Sequence, residues 1–132
     1  MKRVSIISVL VATLLSSCVC IKSAFDEKWY VGEWEGVGHQ IDGKQWDIDL
    51  NIHRCGEMSI NYPSLSCSGT WELLEANGVE ATLKETILLG VNNCDQGVDV
   101  ELKHMDKNTM EVRYYLAMWG PEPIAYGELK RK

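Results

Sequence analysis

None of the short motifs that carry common catalytic chemistry occurs in this sequence. There is no Gly-x-Ser-x-Gly elbow, no His-Glu-x-x-His, no glycine-rich phosphate loop and no EF-hand loop. No Cys-x-x-Cys or Cys/His spacing suggests a zinc site. His39, His53 and His104 are scattered, with no nucleophile or carboxylate partner in view, so surface or capping roles are expected for them. Asp47 and Asp49 sit two apart, but two carboxylates fall short of a calcium shell, and a solvated edge is the expectation. A basic excess is also missing: 13 Lys and Arg stand against 19 Asp and Glu, a formal net charge of −6. That argues against nucleic-acid binding, which leaves a basic footprint. No window has convincing helical periodicity, and no internal repeat is visible. The 132 residues suffice for one domain and not two. The expectation is a chain that is not an enzyme and needs no cofactor or metal.

Met1-Lys2-Arg3 is a short basic segment, and residues 4–15 are almost continuously apolar, broken by Ser5, Ser8 and Thr13. These are the n-region and h-region of a secretory signal, too short for a good transmembrane helix. They lead into Leu15-Ser16-Ser17-Cys18. This stretch resembles the bacterial lipobox, in which an aliphatic and two small residues precede the cysteine that takes a diacylglyceryl group. The resemblance implies that Cys18 is acylated and becomes the first mature residue. Residues 1–17 are then a signal peptide, 18–28 a lipidated tether and 29–132 the folded domain. The alternative is an ordinary secreted protein cut near Ala24, with Cys18 lost. Several acyl chains, at about 0.8 kcal/mol per CH₂, make such an anchor effectively permanent. Gram-negative lipoproteins retained in the inner membrane usually carry Asp after the cysteine, and Val19 stands there instead. The resemblance therefore implies a cell-envelope protein on the outer membrane, facing the periplasm. Without Lys2 and Arg3 the basic count falls to 11 against 19 acidic residues, a net charge of −8. An acidic surface of that kind suits a basic partner, or solubility alone.

Five cysteines, Cys18, Cys20, Cys55, Cys67 and Cys94, are an awkward number for an oxidising compartment. A lipid on Cys18 leaves four, which allow three pairings. The expected pairs are Cys67 with Cys94 and Cys20 with Cys55. Connectivity cannot be read from sequence, so unpaired Cys20 and Cys55 remain the other reading. The first bridge closes a 28-residue loop, worth roughly 3.5 kcal/mol in the chain-entropy description.

From Trp29 onward the apolar pattern has period two. In 45–53, Trp46, Ile48, Leu50 and Ile52 alternate with Asp47, Asp49, Asn51 and His53. In 98–103, Val98, Val100 and Leu102 alternate with charged residues, and in 110–116, Met110, Val112, Tyr114 and Leu116 alternate with Glu111, Arg113 and Tyr115. Such alternation predicts strands with one wet face. Further candidates are 29–40, 58–62, 70–75, 79–89 and 124–130. Asp42-Gly43 and Asn77-Gly78 have the dipeptides of tight hairpins with positive φ at both central residues. Further turns are expected at 105–108 and 119–123. Eight strands on short links predict an all-β, antiparallel up-and-down meander that hides its edges by closing into a small barrel. Gly32-Glu33-Trp34 at the first strand resembles the Gly-x-Trp opening of lipocalins and avidins. In those families the glycine permits close packing and the tryptophan plugs one barrel end. A second resemblance, to small bacterial exported domains, rests on Tyr62-Pro63-Ser64-Leu65-Ser66-Cys67-Ser68-Gly69, Glu85 and Cys94. It supports the Cys67–Cys94 pairing and implies no activity.

Two residues stand out as candidate binding groups. Glu85 falls on the apolar side of a strand with Val79, Ala81, Leu83 and Ile87. An inward carboxylate needs a partner, either a buried hydrogen bond to a loop backbone or a tyrosine, or a ligand. Five tryptophans are many for this length, and Trp34, Trp46 and Trp71 are expected to fill the barrel. Trp119 lies in Trp119-Gly120-Pro121-Glu122-Pro123, where it is either an exposed contact anchor or a lid folded back over a barrel end. A tethered, disulfide-held acidic barrel suggests a non-enzymatic protein-binding module. By analogy of plan, it would be an inhibitor or immunity protein with a basic hydrolase or toxin as partner. The alternative is a carrier of a small apolar ligand inside the barrel, since eight strands hold one small ligand or their own side chains. The lipid reading predicts that a metabolic fatty-acid probe labels the wild type and not Cys18→Ser. An unlabelled wild type, or equal labelling of both, would overturn it.

Overall fold

The alternating segments become strands because each can bury one face and hydrate the other. The computed structural model describes residues 28–132. The expected signal peptide, Cys18, Cys20 and the alternative cut near Ala24 lie outside the described residues. The strands are β1 Gly32–Gln40, β2 Gln45–Ile52, β3 Met58–Tyr62, β4 Cys67–Ala76, β5 Glu80–Leu89, β6 Asp99–Asp106, β7 Thr109–Tyr115 and β8 Ala125–Arg131. Each pairs antiparallel with the next, and β1 pairs with β8 to close a barrel. The expected all-β meander is the observed fold. Single 3₁₀ turns at Pro63–Leu65 and Ala117–Trp119 interrupt two of the links.

The differences from the sequence expectation are local. β1 begins at Gly32 and not at 29, because residues 28–31 form a turn closed by Val31 N–H donating to the Lys28 carbonyl at 3.2 Å. β6 runs on to Asp106, so the expected turn at 105–108 shrinks to 107–108. A register shift between His104 and Asp106 leaves Met105 exposed, and the Asn108 N–H donates to Asp106 Oδ1 at 2.8 Å. The hairpin dipeptides work through side chains. Gly43 alone takes positive φ in the first turn, while Asp42 Oδ1 accepts from the Lys44 N–H. Gly78 has no positive φ, and Asn77 Oδ1 accepts from the N–H groups of Val79 and Glu80, both at 2.9 Å. Asx capping thus replaces the doubly left-handed turn.

One barrel end is sealed. Trp34 is fully buried there, and its Nε1 donates to the Tyr30 carbonyl at 2.9 Å. The Arg131 guanidinium lies 4.2 Å from the Trp34 ring centre and donates to the carbonyls of Val31 (2.6 Å) and Trp29 (3.2 Å). Gly32 has φ +134°, and a Cβ there would meet Arg131 Nη1 at 2.3 Å. The tryptophan therefore plugs an end and the glycine admits its lid. Trp29 stacks on His104 at 5.1 Å and donates to the Asn77 carbonyl, extending the seal.

The opposite end carries the links 41–44, 63–66, 90–98 and 116–124, the last two of nine residues each. Cys67 and Cys94 are bridged, which ties the 90–98 loop to the start of β4. Cys55 is also disulfide-bonded, and the Cys20 expected as its partner lies outside the described residues. Trp34 and Trp71 fill the interior as expected, whereas Trp46 is only half-buried, near the open end. Truncating the plug should therefore be severe. Trp34→Ala is expected to lower unfolding free energy by about 3–5 kcal/mol. Trp119→Ala should change it by less than about 0.5 kcal/mol. Urea denaturation of both variants measures the contrast.

Candidate functional site

Small residues on the β1–β8 seam admit larger side chains near the open end. Gly38 pairs with Gly127, and Gln40 pairs with Ala125. Gly38 also faces Trp46 across β1 and β2, where a Cβ would meet the indole ring at 2.5 Å. Beyond Trp46 lies a cavity of about 470 Å³, lined in part by Trp46, Tyr62, Glu85, Asp95 and Tyr114.

Glu85 is 4% exposed, the one buried charged side chain among the described residues. It sits directly opposite Trp71 in the β4–β5 register. Trp71 Nε1 donates to Glu85 Oε2 at 2.7 Å, and the Tyr62 hydroxyl donates to the same oxygen at 2.5 Å. Tyr62 and Tyr114 hydroxyl oxygens lie 3.2 Å apart. Tyr62 has one proton and commits it to the carboxylate, so Tyr114 is the donor to Tyr62. The polar chain runs Tyr114 to Tyr62 to Glu85, from β7 through β3 to β5. Burial raises the Glu85 carboxyl above the usual range, the Trp71 and Tyr62 bonds oppose this, and Asp95 adds a smaller upward push. Burial first, then the neighbouring Tyr114 and Glu85, holds the Tyr62 phenol well above its ordinary value. Both tyrosines therefore stay neutral donors at physiological pH.

The 90–98 loop is fixed as firmly as a strand. Gln96 accepts from the Ile87 N–H (3.0 Å) and donates to the Ile87 carbonyl (2.8 Å), continuing the sheet where β6 has not begun. Asn93 Nδ2 donates to the Ser66 carbonyl, and the disulfide holds the loop at Cys94. Across the mouth, the 116–124 loop is pinned by Ile124 N–H to the Tyr114 carbonyl and by Ile41 N–H to the Ile124 carbonyl. Its 3₁₀ turn presents Met118 at 85% and Trp119 at 68% exposure. The lid reading of Trp119 is thereby overturned, because the pinned loop turns outward. Ile41, Leu88, Leu89 and Val91 are exposed on other links and strand ends of the same mouth.

Glu85 is bonded to a tyrosine, as the hydrogen-bond reading of its position expects, and it also lines a cavity. Trp119 stands on the rim and does not line that cavity. Sequence reasoning named neither Tyr62 nor Trp71 as partners of Glu85, nor Tyr114 behind Tyr62, nor Trp46 as a wall of the same cavity. The signal was present in Met58, Ile60 and Tyr62, and in Met110, Val112 and Tyr114, which put two hydroxyls on inward faces. The histidines play minor parts: His39 stacks on Tyr126, and His53 is exposed. Asp49 pairs with Lys132 at 2.5 Å, and the Asp47 N–H donates to Ser64 Oγ. Among the described residues no group of three or more His, Cys, Asp or Glu is arranged to hold a metal ion.

The chain matches no family model, no curated protein and no solved structure.

A carboxyl raised in the folded state binds more protons folded than unfolded across the interval between the two values. Its stabilising contribution is complete below the unfolded value and is lost as pH rises through the folded one. Glu85→Gln keeps an oxygen to accept both bonds and removes this loss. Its stability relative to wild type should rise with pH from the ordinary carboxylate range upward, by up to about 1.4 kcal/mol per pH unit separating the folded and unfolded carboxyls. Glu85→Leu leaves two buried donors unpaired, at about 1–3 kcal/mol each. Denaturation at several pH values measures both, and a pH-independent difference for the glutamine variant would refute the assignment.

Proposed function

We propose that this chain is an envelope-anchored, non-enzymatic binding module that captures a protein at the open end of its barrel, as an inhibitor or immunity protein against a hydrolase or toxin. The observation that carries this reading is the exposed Met118-Trp119 pair on a loop whose end at Ile124 is bonded to Tyr114 and Ile41. A large aromatic on a rigid rim loses little entropy on contact and makes a good anchor. Ile41 on the adjoining link adds apolar area, and such exposed groups mark contact sites when they gather in one place. The acidic balance, a net charge of −6 for the whole chain and −8 once residues 1–17 are removed, steers a basic partner toward the module.

A carrier role has one observation in its favour, the cavity of about 470 Å³, which lies within the range of small-molecule sites. Its lining includes Gln40, Gln45, Glu85, Asn92 and Asp95, so an apolar ligand is a poor match.

Immobilised protein should retain a partner from envelope or competitor-cell lysate. Trp119→Ala should weaken that capture by about 30-fold, the roughly 2 kcal/mol of an interface anchor. Capture unchanged by Trp119→Ala would refute the rim reading. Release of an apolar compound on denaturing extraction would favour the carrier.

A further inference from the structure

We infer that the cavity at the open end is a receptor for an organic cation, an alkylammonium or alkylguanidinium group seated against Glu85 and walled by Trp46, Tyr62 and Tyr114. Four observations converge on this chemistry. A carboxylate lies at 4% exposure and still lines a cavity. Both of its protein donors, Trp71 Nε1 and the Tyr62 hydroxyl, are neutral groups that fall on Oε2 and make no use of Oε1. Neutral dipoles leave the formal charge in place, and a low-dielectric site strengthens its pull on a counter-charge. Asp95 lines the same space and acts on Glu85 with the same sign. Lys44, the lining cation among the described residues, is no internal partner: its side chain is 77% exposed and its Nζ lies 3.9 Å from Asp42.

The walls fit the same guest. Tyr114 meets Trp46, Tyr62 and Trp71 at ring-centre distances of 6.1, 6.3 and 6.5 Å, each inclined by 63–69°. Rings set at such angles enclose a space and do not stack into it. Aromatic rings attract a cation through their quadrupole, and their apolar edges accept its alkyl stem. An anion would meet two carboxylates, and a neutral apolar guest would strand Glu85 without compensation. The cation is either a small free amine or a Lys or Arg side chain inserted by a captured protein. Only the second source rests on the protein-binding reading.

Titration of the intact protein with n-butylammonium and n-butylguanidinium chloride, followed by NMR on the Trp46, Tyr62 and Tyr114 ring signals, tests the inference. At least one cation should bind saturably, at least tenfold tighter than 1-pentanol or butyrate. Glu85→Gln should weaken cation binding tenfold or more while its amide spectrum stays dispersed. Trp46→Leu, outside the polar chain, should weaken it several-fold and covers the case in which the glutamine variant misfolds. Equal binding of pentanol, undiminished binding to folded Glu85→Gln, or no shift at about 50 mM cation, far above a millimolar Kd, would overturn the proposal. Competition against a captured partner separates the sources: displacement by butylguanidinium assigns an inserted side chain, and binding without displacement assigns a free amine. Failure of the cation titration leaves capture through Trp119 standing, so the two readings fail separately.

Discussion

Hydrogen bonding between β1 and β8, from Trp34 opposite Arg131 to Gln40 opposite Ala125, turns an open meander into a cylinder. The closure satisfies the backbone groups that an edge strand would offer to other chains. It also gives the interior a bounded width. Eight strands enclose space for packed side chains or for one small guest. This barrel divides that space along its length, filling one half and leaving the other open. On the closing seam Trp34 fills the sealed end, while toward the mouth Gly38 is covered by Trp46 and Ala125 lines the cavity.

The aromatic residues follow the same division. Tyr30, Trp34 and Trp29 close the sealed end together with Arg131. Tyr62, Trp71 and Tyr114 surround a carboxylate midway, each using a polar handle that a phenylalanine would lack. Trp46 forms the cavity wall, and Trp119 leaves the barrel altogether. One residue type thus plugs, bonds, lines and protrudes according to its height along the barrel axis. Glu85 is compatible with burial because its donors come from the neighbouring strand and from β3, and no buried polar side-chain atom among the described residues lacks a partner.

Strand number and meander order were legible because period-two alternation survives along several strands, as in Val100 and Leu102 against Asp99, Glu101 and Lys103. The plug at Trp34 was legible through its glycine. Turn mechanism was not, since Asn77-Gly78 names a turn without saying whether the Asn side chain or a left-handed backbone makes it. The inward direction of Glu85 followed from parity along β5. Its partners did not, because Tyr62 and Tyr114 are 52 residues apart and meet only through the barrel's curvature. Trp119 was ambiguous for a related reason: its loop direction is set by Ile124 pairing to Tyr114 and Ile41 to Ile124, contacts no local pattern encodes.

Separating the sealed end from the mouth has a consequence for how such a module tolerates change. The described chain both enters and leaves at the sealed end, where the Lys132 N–H donates to the Glu33 carbonyl and Arg131 caps Trp34. Closure of the sheet and burial of its largest side chain are therefore secured away from the mouth. The loops 41–44, 90–98 and 116–124 contribute pins of their own, the disulfide and Gln96 on one side and Ile124 on the other. A rim held by its own fastenings can change its exposed residues, Met118 and Trp119 above all, without disturbing the plug. The cavity wall has no such freedom: Trp46 lies against Gly38, and Glu85 against Trp71 and Tyr62. Substitution at the wall is thus coupled to the barrel, while substitution at the rim is not.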